Sequence, residues 1–178
     1  MNDEMRIYVA SLSDYNAGRL HGAWIDCAGK DADALGEEVA AMLKQSREPV
    51  AEEFAIHDHE GFAGLVGECT PLSEVAELVA LREELGDEWP AYLAYAENLG
   101  MALGELPSVE DFRDAYLGEW STLEDYAADY LEQSGTLEGV PDALRNYVDV
   151  EKFARDLVLG GDVFTSEAAG GVYVFYNH

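Results

Sequence analysis

Between Leu123 and Leu131 apolar residues recur at i, i+3, i+4, i+7 and i+8: Leu123, Tyr126, Ala127, Tyr130 and Leu131. That spacing predicts a helix with a single apolar stripe. Ser121-Thr122-Leu123-Glu124 reads as its capping box, with the Ser121 hydroxyl accepting from a free backbone N–H and Glu124 reaching back. Gly135 stands where a left-handed residue would stop it. Opposite the stripe, Glu124, Asp125, Asp129 and Glu132 fall within an arc of about 140° at roughly 100° per residue. No Lys or Arg occurs between Ser121 and Gly135. The polar face is wholly negative, which by itself is the pattern of a solvated helix face.

The same reading gives the rest of the chain an α+β character. RIYVASL (6–12) alternates like a strand, DYNAGRLHG (14–22) reads as a loop, and AWIDC (23–27) reads as a second strand. Asp31-Ala32-Asp33 opens a helix whose Leu35, Val39, Met42 and Leu43 share a face, and which ends near Ser46. EEFAIHD (52–58) reads as a third strand. Thr70-Pro71 offers a cap followed by Pro at the first helical position, for a helix carrying Val75, Leu78, Val79 and Leu85. After Gly86-Asp87, Pro90 begins another helix with Tyr92, Leu93, Ala96 and Leu99 on one face, stopped at Gly100. Ser108 to Asp111 (SVED) predicts a cap for a short helix around 109–117. Asp149 caps a helix over about 150–159, and GDVFTSEAAGGVYVFYN reads as a closing hairpin with Val163-Phe164 and Val172 to Tyr176 as its strands. With linkers near GFAG and GELP, the expected organisation is three small domains. They are an α+β domain over 1–62 with a small antiparallel sheet, a helical domain over 63–104, and an α+β domain over 105–178.

Charge changes this picture most. The 178 residues include 37 Asp+Glu and 10 Lys+Arg, a formal net charge of −27. A small domain stays soluble with a magnitude of about 2–8, so solubility does not account for the excess. Self-repulsion at this level opposes the compact state. With 48% hydrophobic residues and 11% aromatics the chain is equipped to bury cores, which excludes a disordered acidic tail. The excess is spread along it: 13 acidic and 5 basic residues in 1–62, 8 and 1 in 63–104, 16 and 4 in 105–178. The sign argues against nucleic acid or an anionic membrane as partner and for a basic one. No apolar run approaches the length of a membrane span, and MNDEMRIYVA has no secretory pattern. Cys27 and Cys69, without CxxC spacing, read as buried reduced thiols, so a cytoplasmic location is expected.

Catalytic chemistry has little to rest on. His57 and His59 would share one face of a strand, an arrangement able to offer Zn²⁺ two ligands, yet no spacing supplies a third. No EF-hand loop and no GxSxG occurs, and the Gly pairs at 160–161 and 170–171 lack a phosphate-binding frame. The chain is read as a non-enzyme with no catalytic residue, metal or cofactor.

Several stretches resemble the ArdA antirestriction family: IYVASLSDYNAGRLHGAWIDC, EEFAIHDHEGF, LREELGDEWPAYLAYAENLG, YVDVEKFARDLVLGGDVF and the terminal GGVYVFYN, in that order over nearly the full length. The resemblance implies an elongated, curved homodimer of three small domains per subunit, paired through the C-terminal domain and acting as a mimic of bent B-form DNA. The implied genetic source is a plasmid, conjugative transposon or phage. The implied partner is a type I restriction–modification enzyme, bound in the DNA groove of its methyltransferase core of specificity and modification subunits.

On that reading carboxylates stand in for phosphates. Glu74, Glu77, Glu83, Glu84, Asp87, Glu88 and Glu97 would line the middle domain. Glu110, Asp111, Asp114, Glu119, Glu124, Asp125, Asp129 and Glu132 would continue the surface. Phe112, Tyr116, Trp120, Tyr126 and Tyr130 are candidates both for core packing and for dimer contacts. The alternative is a halophilic structural or interaction domain, which should unfold without molar salt, whereas a mimic should stay folded at about 0.15 M.

Overall fold

A computed structural model of the chain describes residues 4–101, 104–145 and 147–177. Its contacts divide it into two compact units, one running to Gly86 and including Gly104, the other comprising Asp87–Met101 and Glu105 onward. The helical stretch read from sequence as 63–104 is therefore shared between them.

In the first unit the order is β1 (Arg6–Ser11), α1 (Leu12–Asn16), β2 (Gly22–Asp26), α2 (Ala32–Leu43), β3 (Phe54–Glu60) and α3 (Leu72–Leu85). The strands form one antiparallel sheet, β2-β1-β3. Period-two alternation turns Ile7, Val9, Ile25 and Ile56 inward. They share the buried core with Leu35, Val39 and Met42 of α2 and Val75, Leu78 and Val79 of α3. Asp31 caps α2 as expected, accepting from the Ala34 N–H at 2.8 Å.

Three local readings need correction. The stretch 14–22 does not begin as a loop. Ser11 at the end of β1 accepts from the Asp14 N–H at 3.3 Å, which caps α1. Thr70 does not cap α3, because its hydroxyl accepts from the Gly67 N–H at 2.8 Å. Pro71 stays extended, with ψ of 144°, and the helix opens at Leu72. Cys69 sits exposed in that same turn, whereas Cys27 is buried and burial raises its thiol pKa to about 11.

The second unit contains α4 (Trp89–Asn98), α5 (Val109–Ala115), β4 (Tyr116–Trp120), α6 (Leu123–Gln133), α7 (Asp142–Arg145), α8 (Val150–Gly160), β5 (Val163–Ala168) and β6 (Gly171–Tyr176). The hairpin read from the sequence is β5–β6, paired from Val163↔Tyr176 to Ala168↔Gly171. A third strand, β4, was not expected. It pairs with β6 through a bulge near Gly118, in the order β4-β6-β5. Gly171 is required at this junction, because a Cβ there would run into the Trp120 carbonyl.

Alternation along β6 gives this sheet two cores. Val174 packs with Tyr126 and Ala127 of α6, Ala154 and Leu157 of α8, and Val163. Phe175 faces an aromatic cluster: Phe164 at 4.9 Å between ring centroids, Tyr95 at 5.4 Å and Tyr116 at 5.6 Å. Phe112 stacks on Tyr116 at 5.1 Å and meets Tyr92 edge-on at 5.5 Å. Tyr92 donates to the Pro107 carbonyl at 2.7 Å, and burial raises its pKa to about 12. Tyr92 and Ala96 of α4 are buried, as periodicity expects, and Tyr95 is buried with them, whereas Leu99, assigned to the same face, is 44% exposed at the end of the helix. Among the described residues no helix is long and apolar enough to cross a membrane.

Candidate functional site

Helix α6 forms where its spacing placed it, but its cap is one residue later than expected. Thr122, not Ser121, accepts from the Asp125 N–H, at 3.1 Å. Gly135 takes up a φ of 72° just beyond the helix, as a left-handed stop requires. Of the apolar stripe, Tyr126, Ala127 and Leu131 are buried, Leu123 is half-buried, and Tyr130 remains 40% exposed.

On the opposite face Glu124, Asp125 and Glu132 are exposed and Asp129 is half-buried. Among the described residues no Lys or Arg forms an ion pair with any of the four. Asp129 instead accepts from the Gln133 amide through both oxygens, at 2.8 and 2.9 Å, a neutral donor that leaves the charge in place. Glu124 and Asp125 lie in the first turn, where the helix dipole favours negative charge by roughly 0.3–1 kcal/mol each. The helix therefore carries its charge without a counter-cation.

Helix α5 is arranged similarly. Ser108 accepts from the Asp111 N–H at 3.0 Å and donates to its carboxylate at 2.6 Å, the cap expected from SVED. Glu110, Asp111 and Asp114 are exposed, as is Glu119 on β4. Asp87 and Glu97 are exposed, and Glu88 is half-buried, 3.5 Å from Arg113. These residues and the four on α6 all belong to the second unit. Glu74, Glu77, Glu83 and Glu84 lie on α3 in the first unit, where Glu74 is half-buried and the others are exposed. Glu83 accepts from the Gly29 N–H at 2.9 Å, so its carboxylate is tied to the loop after β2.

Of the aromatic candidates, Phe112 is fully enclosed and Tyr126 is 7% exposed, which places both in the packing of their own unit. Tyr116 and Trp120 are half-buried, the latter donating to the Leu117 carbonyl at 3.1 Å. Burial raises the Tyr116 pKa to about 12, with Tyr173, Glu119 and Glu88 adding to the effect. Tyr130 is the most accessible of the five.

Asp149, Glu151 and Asp156, on α8 and beside it, are further exposed carboxylates; the sequence marked Asp149 only as a cap and the other two not at all. The neighbouring Lys152 and Arg155 make that face mixed in sign, and Arg155 lies 3.8 Å from Asp156. A hollow of about 620 Å³ beside the end of α6 is lined by Leu131, Glu132, Gln133, Glu138, Arg145 and Val150 among others. His57 meets the Tyr15 ring at 5.1 Å and His59 the Phe62 ring at 6.2 Å. Among the described residues no group of three or more His, Cys, Asp or Glu is placed to hold a metal.

A family model described as Antirestriction protein (ArdA) matches residues 7–171. No curated protein matches the chain.

Proposed function

The chain belongs to the ArdA antirestriction protein family, and from that premise we propose that it blocks restriction as a DNA mimic. It occupies the DNA-binding groove of a type I restriction–modification enzyme, at the methyltransferase core of specificity and modification subunits. It acts in the cytoplasm as a homodimer, without catalysis and without a cofactor.

The observation that carries this reading is the bare negative face of α6. Glu124 to Glu132 spans about 12 Å at 1.5 Å per residue and carries four carboxylates without an ion pair. A DNA strand places one phosphate per about 3.4 Å, or three to four over the same length. A net charge of −27 equals that of about 46 Å of duplex. Pairing these carboxylates with Lys or Arg would cancel the field that a basic groove recognises. In this reading Glu74, Glu77, Glu83, Glu84, Asp87, Glu88 and Glu97, together with the carboxylates of α5 and β4, extend the contact, and no single residue dominates.

A groove evolved for DNA gains affinity by releasing counterions, and a mimic's binding should be salt-dependent in the same sense. The test titrates the purified chain against DNA for a type I methyltransferase core at several salt concentrations. Competition that weakens steeply with salt is expected. Inhibition unchanged between low and high salt would rule out electrostatic mimicry.

A further inference from the structure

The first unit carries a second surface of different chemistry. Antiparallel register places six side chains on the outer face of the β2-β1-β3 sheet in two rows. Trp24, Tyr8 and Asp58 stand opposite one another across the strands, and Asp26, Arg6 and Glu60 stand opposite one another two residues along. Ile25, Ile7 and Val9 take the other face, into the core. The outer face stays open: Trp24 is 40% exposed, and Asp26 and Asp58 are exposed.

The rings are held in place. Trp24 and Tyr8 contact at 5.6 Å, and the Arg6 guanidinium lies 4.8 Å from the Trp24 ring centroid while bonding Glu60 at 2.8 Å. Trp24 is thus already a cation-accepting ring, with a guanidinium seated between it and a carboxylate. Asp26 and Asp58 each spend one carboxylate oxygen on a local N–H, of Ala28 at 3.1 Å and of His59 at 2.8 Å. The grid holds three carboxylates and one cation, so it is negative, with the Tyr8–Trp24 pair along one of its two rows.

We propose that this sheet face is a docking site for an arginine-bearing basic protein segment, whose guanidinium packs on the exposed part of the Tyr8–Trp24 pair and bonds Asp58 or Asp26. The occupant follows from complementarity. A planar, weakly hydrated cation suits a ring flanked by carboxylates, whereas a lysine ammonium gains less from stacking. The α6 face offers charge alone; this face discriminates between cations. It shares with the proposed function only the need for a basic partner.

The test uses the full chain and two probes of equal length and charge, a deca-arginine and a deca-lysine peptide. Wild type should prefer the arginine peptide by about two- to fivefold beyond charge, the range of an exposed cation–π contact. Trp24→Leu should bring that ratio close to one, Trp24→Phe should keep part of it, and circular dichroism should show both variants folded. If Trp24→Leu does not fold, the pair Asp26→Asn with Asp58→Asn reads the same ratio and should lower it. Neutralising the α6 carboxylates should weaken both peptides alike and leave the ratio intact, so this inference and DNA mimicry fail separately. A ratio unchanged in Trp24→Leu would overturn the proposal. So would sedimentation showing that Trp24→Leu changes the oligomeric state, which would make a second copy the occupant.

Discussion

Asp14 and the carboxylates of α6 are made of the same chemistry and put to opposite uses. Asp14 is 1% exposed in the first unit and surrounded by donors. Ser46 donates to one oxygen, Arg19 lies 3.5 Å from the other, and Arg19 also pairs with Glu48. That network ties α1 to the loop after α2. Elsewhere in the unit Arg6 pairs with Glu60 and Lys30 with Glu38 at 2.6 Å. The scarce cations are spent where carboxylates hold segments together. Among the described residues no cation is spent on α6, and Gln133 attends Asp129. One carboxylate is structural because its charge is consumed locally. The others remain available to a partner because theirs is not.

The largest effect should come from erasing the unpaired side of this contrast. Glu124→Gln, Asp125→Asn, Asp129→Asn and Glu132→Gln together should lower affinity for the methyltransferase core about a thousandfold at roughly 0.15 M salt. The slope of log K against log salt should flatten by about 3–4. Urea stability should hold or rise, because like charges at i, i+4 repel by a few tenths of a kcal/mol. Unchanged affinity in that variant would remove α6 from the contact. A loss of stability would show that its charges serve the fold after all.

Removing the paired side should do the reverse. The hydrogen bond from Ser46 is the main cause that holds the Asp14 carboxyl below its ordinary range. Burial opposes it, while Ser11, His21 and Arg19 assist. The folded pKa is depressed, so the ionised group stabilises the fold above the ordinary carboxylate value of about 4. That contribution is lost as pH falls through the depressed folded value. The urea midpoint of wild type should therefore fall between about pH 5 and pH 3 by a component that Asp14→Asn lacks. At neutral pH Asp14→Asn should be less stable than wild type, while its competition with DNA for the methyltransferase core stays within about twofold. A variant as stable as wild type at both pH values would show that the network adds nothing.

The two regions also differ in how much of them could be read from the sequence. Helix α6 was legible, because periodicity, a polar N-terminus and a Gly stop lie within fifteen consecutive residues. The same holds for α8 with its Asp149 cap, whose side chain accepts from the Lys152 N–H at 2.9 Å, and for the closing hairpin. Asp14 was not, because its partner Ser46 lies 32 residues away in sequence. No local pattern marks that pairing. Strand β4 was missed for a related reason: it follows α5 without a turn, and Gly118 interrupts the alternation of Tyr116–Trp120. The outer sheet grid needs the register of three strands, and the bulge at Tyr8–Val9 shifts that register by one residue. Local order is readable where charge is left bare; the partners of consumed charge come from afar.

The smallest effect concerns what holds the bare face straight. With no ion pairs along it among the described residues, α6 depends on its apolar stripe and on its cap, and the cap belongs to Thr122. Thr122→Ala should cost about 1 kcal/mol of stability, within the usual 0.5–2 kcal/mol for losing a side-chain cap. Thr122→Ser should recover most of it, because the hydroxyl is retained. Ser121→Ala, one position earlier and exposed, should stay within about 0.5 kcal/mol of wild type. None of the three changes alters net charge, so the salt dependence of competition with DNA should keep its slope. If Ser121→Ala proved the costlier change, the helix would start one residue earlier and Glu124 would close the box. The first-turn carboxylates would then be partly consumed by their own backbone, and the contrast with Asp14 would weaken at the end of α6 where the helix dipole favours negative charge.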